Sequence, residues 1–159
     1  MAELFEITDL VKLAIEDERS GVAFYAALAE KFAHEPVAPV FADLGEQEKF
    51  HQKRFEEMLE ALGGHRAKRE QYPGEFMAYL ETLASGRAFP NEETAVKEAR
   101  DCASAAAAVD LAARFERDTL LLMNEMSRLV PDKHADVVRE LAQEEQSHLV
   151  TLANARRKL

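Results

Sequence analysis

Thiols are nearly absent from this sequence, with Cys102 the single cysteine among 159 residues. That excludes a disulfide within the chain and any Cys-x-x-Cys zinc or iron site. Tryptophan is missing and β-branched runs are few, while Ala, Leu, Glu, Lys and Arg abound, a balance that favours helix. No uninterrupted apolar stretch approaches the roughly 18 residues of a membrane span. Basic residues are outnumbered, 20 Lys and Arg against 30 Asp and Glu: the formal net charge is −10, and nothing forms the basic stripe of a nucleic-acid binder. The opening Met-Ala-Glu-Leu-Phe-Glu lacks a basic region followed by an apolar one, so no secretory signal is visible. The expectation is a single domain over 1–159 in a reducing, cytoplasmic setting, with neither nucleic acid nor membrane as a partner.

What is present is helical periodicity with six interruptions. From a plausible N-cap at Thr8 or Asp9, an apolar stripe runs Val11, Ala14, Ile15, Glu18, Gly21, Val22, Tyr25, Leu28, Ala29 and Phe32. Pro36 and Pro39 are expected to end this helix and reverse the chain. A second helix over about 39–62, stopped by Gly63-Gly64, turns Phe41, Leu44, Glu48, His51, Phe55, Met58 and Leu62 inward. Residues 63–100 read as a crossover: a turn at Tyr72-Pro73-Gly74, a short helix over 75–84 closed by Ser85-Gly86, and a polar helix over 92–100 after Pro90-Asn91. Positions 101–104 are compatible with a break or a continuation.

The third long helix presents Cys102, Ala105, Val109, Ala112, Glu116, Thr119, Met123, Met126 and Val130, and ends at Val130-Pro131. The fourth, from Asp132 or Lys133, presents His134, Val138, Leu141, Glu145, His148, Leu152 and Ala155. Glu18 and Glu116 stand 98 positions apart; Glu48 and Glu145, like His51 and His148, stand 97 apart. The chain therefore reads as a duplicated helical hairpin with pseudo-two-fold symmetry. Two antiparallel hairpins joined by a long crossover with short helices give an all-α four-helix bundle.

A buried, unpaired carboxylate is costly, so these acidic seam positions need compensation. Glu-x-x-His places two donors one turn apart on one helix face. Two divalent cations would neutralise four carboxylates, with Glu18 and Glu116 each capping one metal, Glu48 and Glu145 placed to bridge both, and His51 and His148 adding neutral nitrogens. This ligand set is the known pattern of di-iron and di-manganese bundles. Oxygen-rich, thiolate-free coordination suits iron or manganese over structural zinc. Taken singly, a seam Glu or a Glu-x-x-His is usually ordinary surface chemistry; six in register are not. His134 lies 11 residues before Glu145, about 16 Å along the helix, and reads as a capping or interface residue. His34 and His65 read as solvated, Met123 and Met126 as core, and Cys102 as a small buried filler. Phe115, Leu122 and Leu129 form a second apolar line, to be covered by a crossover helix or a homodimer contact.

At these residues the chain resembles the rubrerythrin branch of the ferritin-like superfamily. The stretch 14–25, Ala-Ile-Glu-Asp-Glu-Arg-Ser-Gly-Val-Ala-Phe-Tyr, is similar to that family's first-helix motif, with Glu18 the ligand and Tyr25 the tyrosine beside the metals. Residues 44–51 and 141–148 match its two Glu-x-x-His motifs, and 112–119 its third-helix motif. The resemblance implies a ferritin-like fold and two iron ions, for which manganese or zinc could substitute. It also implies chemistry at a carboxylate-bridged dinuclear site: reduction of peroxide or O₂, or oxidation of Fe(II), with Tyr25 assisting. Dimers are frequent in the family. Two departures stand out. Thr119 occupies the place of an additional ligating Glu found in full rubrerythrins, and one cysteine leaves no four-Cys rubredoxin domain. An external electron donor, such as a rubredoxin-like protein, would then be required. Met123 also stands where the duplication would place a counterpart of Tyr25. The alternative reading is a non-enzymatic iron-binding, storage or sensing protein.

Overall fold

In a computed structural model describing residues 7–63 and 74–159, the described residues form six helices. They are α1 (Ile7–Lys31), α2 (Ala38–Gly63), α3 (Gly74–Ser85), α4 (Glu92–Asp101), α5 (Ala105–Leu129) and α6 (Asp132–Arg156). Among the described residues there is no strand. Helix α1 pairs with α2 and α5 with α6, α1 meets α5, α2 meets α6, and α4 lies along α1. This is the expected ferritin-like bundle of two hairpins joined by a crossover.

Several boundaries follow from local chemistry. Asn91 caps α4 by accepting a 2.8 Å bond from the Thr94 amide, and Ser104 caps α5 by accepting from Ala107 N at 3.1 Å. The segment 102–104 is therefore a break, and Cys102 closes α4 rather than opening α5. Val130 is extended, as the residue before a proline prefers, and only Val130 and Pro131 separate α5 from α6. One expectation needs correction. Thr8 and Asp9 lie inside α1, which already runs at Ile7, so neither caps it. Pro36 lies in the turn after α1, and Pro39 sits in the first turn of α2, where its missing N–H costs nothing and where the second helix is expected to begin. The expectations at Gly64, His65 and Tyr72-Pro73 lie outside the described residues.

The apolar interior is divided into two clusters. One gathers Phe24, Tyr25, Leu28, Phe41, Leu44, Ala112, Phe115 and Leu152. The other gathers Val11, Ala14, Ile15, Phe55, Met58, Met123, Met126, Val138 and Leu141. On each long helix an acidic residue stands between its contributions to the two, so a polar layer divides the core. The second apolar line is covered by the crossover: the Phe89 ring stacks on Phe115 at 5.4 Å, and Leu80 packs in the cluster containing Leu122 and, at its margin, Leu129.

Helix α1 buries more than the single stripe expected. Asp17, Ser20, Phe24 and Ala27 form another buried line, while Val22 and Ala29 are only half-buried. Asp17 is compensated by Arg87, whose Nη1 donates to Oδ1 at 2.7 Å while Nε donates to the Ala84 carbonyl. Burial outweighs this guanidinium and pushes the Asp17 carboxyl up to about 6. Asp17→Ala, which strands a largely buried guanidinium, is expected to cost about 3 kcal/mol, or roughly 6–12 °C in melting temperature. Thermal denaturation followed by circular dichroism measures it.

Gly21 marks the closest approach. A Cβ there would stand 2.9 Å from Cε1 and Cζ of Phe115 and 3.3 Å from Cγ of Glu48. Alanine would improve helix propensity by about 1 kcal/mol, yet overpacking against a ring held between Phe24 and Phe89 costs about 1–3 kcal/mol. Gly21→Ala is expected to lower the denaturant midpoint, against the usual sign for glycine in a helix.

Candidate metal centre

All six interruptions of the seams point inward. Glu18, Glu48, His51, Glu116 and Glu145 are fully buried and His148 is 1 % exposed. Each long helix delivers its share by the same device, a charged residue at a heptad position flanked by apolar residues one turn away. On α2 all seven inward positions are buried as expected, and on α5 so are all those from Ala105 to Met126.

The six residues form two overlapping groups. Glu18, Glu48, His51 and Glu145 each bring one donor atom within 4.8 Å of the others, and so do Glu48, Glu116, Glu145 and His148. Glu48 and Glu145 belong to both groups; each terminal Glu and each His belongs to one. His51 Nδ1 stands 2.7 Å from Glu145, 3.4 Å from Glu48 and 3.7 Å from Glu18. His148 Nδ1 stands 3.1 Å from Glu145, 3.3 Å from Glu48 and 3.5 Å from Glu116. The two imidazoles are nearly parallel, with centroids 5.3 Å apart.

Several of these separations are those of hydrogen bonds, but the directions are not. Both oxygens of Glu18, Glu48 and Glu145, Oε2 of Glu116 and Nδ1 of both histidines have no oriented hydrogen-bond partner. Orphaned buried polar atoms are rare and costly. Nine of them converging on one space is the arrangement donors adopt around cations, and the set of four carboxylates and two imidazoles fits a dinuclear site of iron or manganese type.

Without cations the cluster must balance its charge with protons. Burial raises Glu18 and Glu116 well above the ordinary carboxylate range, and the Glu48 carboxylate adds to this. Burial would lower both imidazoles, but the carboxylates around them outweigh it: His51 rises far above its usual range and His148 is pushed up to about 12. Burial would likewise raise Glu48 and Glu145, yet the two imidazoles close beside them hold both below the usual value. Protons held on Glu18, Glu116 and the two imidazoles would thus offset the remaining carboxylate charge, and divalent cations would displace them.

The outer face of each imidazole is also held. His51 Nε2 lies 2.8 Å from Oε2 of Glu144, and His148 Nε2 lies 3.0 Å from Oε1 of Gln47. Each partner directly precedes the Glu of the opposite Glu-x-x-His, 97 positions from its counterpart. Bonds at Nε2 leave Nδ1 to face the cluster. Sequence reasoning passed over both residues; the duplication was the signal that could have found them. Tyr25 does approach the centre, its hydroxyl donating to Oε1 of Glu116 from the other hairpin. Burial, then the Glu116 charge, raises the phenol well above its ordinary value, so it keeps its proton. Thr119 is buried with an unpartnered hydroxyl, and Met123 is buried core. His134 is half-buried and outside the cluster, His34 is exposed, and Cys102 is buried with its thiol on the Glu98 carbonyl.

Bundle and cluster together define a class: a ferritin-like four-helix protein with the donor set of a di-iron carboxylate site. The chain belongs to the rubrerythrin family, whose family model matches residues 9–156. A rubrerythrin from Porphyromonas gingivalis is 40% identical over 76 residues, which are 47% of this chain and 37% of that protein. The aligned stretch thus takes in little more than a third of that relative. A Thermotoga maritima crystal structure described as a ferritin-like diiron-carboxylate protein shares the fold, with a TM-score of 0.71 and 22% identity over 99% of this chain and 98% of that one.

Proposed function

We propose that the chain is a di-iron oxidoreductase that reduces peroxide or O₂, or oxidises Fe(II), at a dinuclear site held by Glu18, Glu48, His51, Glu116, Glu145 and His148. The observation that carries this reading is the pair of buried donor groups sharing Glu48 and Glu145, whose ligating atoms lack hydrogen-bond partners. Glu18 and His51 would hold one ion, Glu116 and His148 the other, and Glu48 and Glu145 both. When bound, an iron pair supplies Lewis acidity and electrons for O–O bond chemistry.

The remaining work falls to the protein's own groups. The two apolar clusters exclude water from the layer, which strengthens every electrostatic interaction inside it. Glu144 and Gln47 orient the imidazoles. Tyr25 holds a proton on its hydroxyl beside Glu116, where it can be given to a reacting oxygen. Electrons would come from an external donor such as a rubredoxin-like protein, with a cytoplasmic homodimer as the working form.

Anaerobic Fe(II)-loaded protein mixed with stoichiometric peroxide, and separately with O₂, tests the reading by its absorbance change. Rapid oxidation by either supports it; inertness to both leaves a non-enzymatic iron binder. Tyr25→Phe is expected to retain both ions and to slow oxidation by roughly 100-fold.

A further inference from the structure

The duplication predicts two equivalent half-sites, but the residues behind the ligands are not equivalent. Behind His51 stands a carboxylate, Glu144, at 2.8 Å. Behind His148 stands a neutral amide, Gln47, whose own Nε2 donates to Asp43 at 2.9 Å and so turns its oxygen to the ring. The terminal carboxylates differ in the same sense. Glu116 accepts the Tyr25 hydroxyl, whereas both oxygens of Glu18 are unengaged by any hydrogen bond, and the residue at the matching position on α5 is Met123, which has no hydroxyl to offer.

We infer that the two half-sites differ in affinity, the Glu18–His51 side binding a divalent cation more tightly and filling first, with Glu144 and Gln47 as the positioning residues that set the difference. The inference rests on the dinuclear reading given above. A charged acceptor makes a stronger bond to an imidazole N–H than an amide does, and it raises the basicity of the opposite nitrogen toward a metal. A phenol donating to Glu116 withdraws electron density from that carboxylate and competes for one of its oxygens, while Glu18 keeps its full donor strength. Both asymmetries favour the same side, and a change of one outer partner typically moves affinity about 10–100-fold.

Mutual repulsion of two bound ions would separate the binding steps even at a symmetric centre, so the half-sites must be compared singly. Cobalt(II) titrations against a competing chelator, followed by the cobalt absorption bands, measure the first binding constant in His148→Ala, which leaves the Glu18–His51 side, and in His51→Ala, which leaves the other. The expected result is at least about tenfold tighter binding in His148→Ala. Adding Glu144→Gln to that background should weaken binding about tenfold, and adding Gln47→Glu to His51→Ala should tighten it by a similar factor. Both are near-isosteric changes that keep a hydrogen-bond acceptor at the ring, so a merely structural role would leave the two constants unmoved. Circular dichroism establishes that each variant is folded. Equal constants in the two single-His variants, or constants indifferent to Glu144→Gln and Gln47→Glu, would overturn the inequivalence. Failure of the unsubstituted chain to bind cobalt would instead overturn the dinuclear reading itself.

Discussion

Replacing Glu48 by alanine should strip the centre of metal: a chain that takes up about two ions should retain less than one after loading and desalting. Glu48 supplies an oxygen to both donor groups, so its loss would remove a donor from each proposed half-site and, with it, negative charge that would hold two cations near one another. At close range in a dry layer such charge is worth several kcal/mol even at an effective dielectric near 20. The effect should exceed that of removing Glu18 or Glu116, each of which serves one group. Glu145→Ala, its counterpart, should behave alike. Metal analysis of the desalted variants measures this, and Glu48→Ala protein that still carries about two ions would refute the bridging role.

Chelation should destabilise the protein, and the loss should grow with pH. In the metal-free fold, Glu18 and Glu116 are held above their ordinary values, as are His51 and His148. The folded state therefore binds protons that the unfolded chain releases once pH passes about 4.5 for the acids and about 6.5 for the imidazoles. The stability they contribute is complete below those values and drains away as pH rises toward the folded-state values. Glu48 and Glu145 are lowered and act in the opposite sense, but their contribution is lost only on the acid side, as pH falls below about 4.5. Metal-free protein should thus be most stable near pH 5 and weaken steadily through neutral to alkaline pH. The loaded protein runs the other way, because cations compete with fewer protons as pH rises. At free metal 1,000 times the dissociation constant, binding adds about 4 kcal/mol, or roughly 8–16 °C for a chain of this size. Melting curves with and without chelator at pH 6 and pH 8.5 should show a gap that widens; a gap that narrows, or none at pH 8.5, would contradict the reading.

Much of this was legible in the sequence because heptad seams and buried charge leave a strong periodic signal. The six cluster residues stood out as polar groups where leucine belongs, and the spacing of 97–98 residues joined them into one site. What was not legible came from contacts that periodicity does not encode. Asp17 and Phe24 lie off the main stripe of α1 and are buried only because the crossover covers them through Arg87 and Phe89. Gln47 and Glu144 occupy the half-exposed flank of a ligand helix, where polar residues are unremarkable until a histidine nitrogen is found against them.

The most direct measurement is anomalous diffraction at the iron edge from crystals of protein loaded anaerobically with Fe(II). Two peaks in the buried layer are predicted, one bordered by Glu18 and His51 and the other by Glu116 and His148, with Glu48 and Glu145 between them. An empty layer in fully loaded crystals, or iron confined to the acidic surface, would contradict the account.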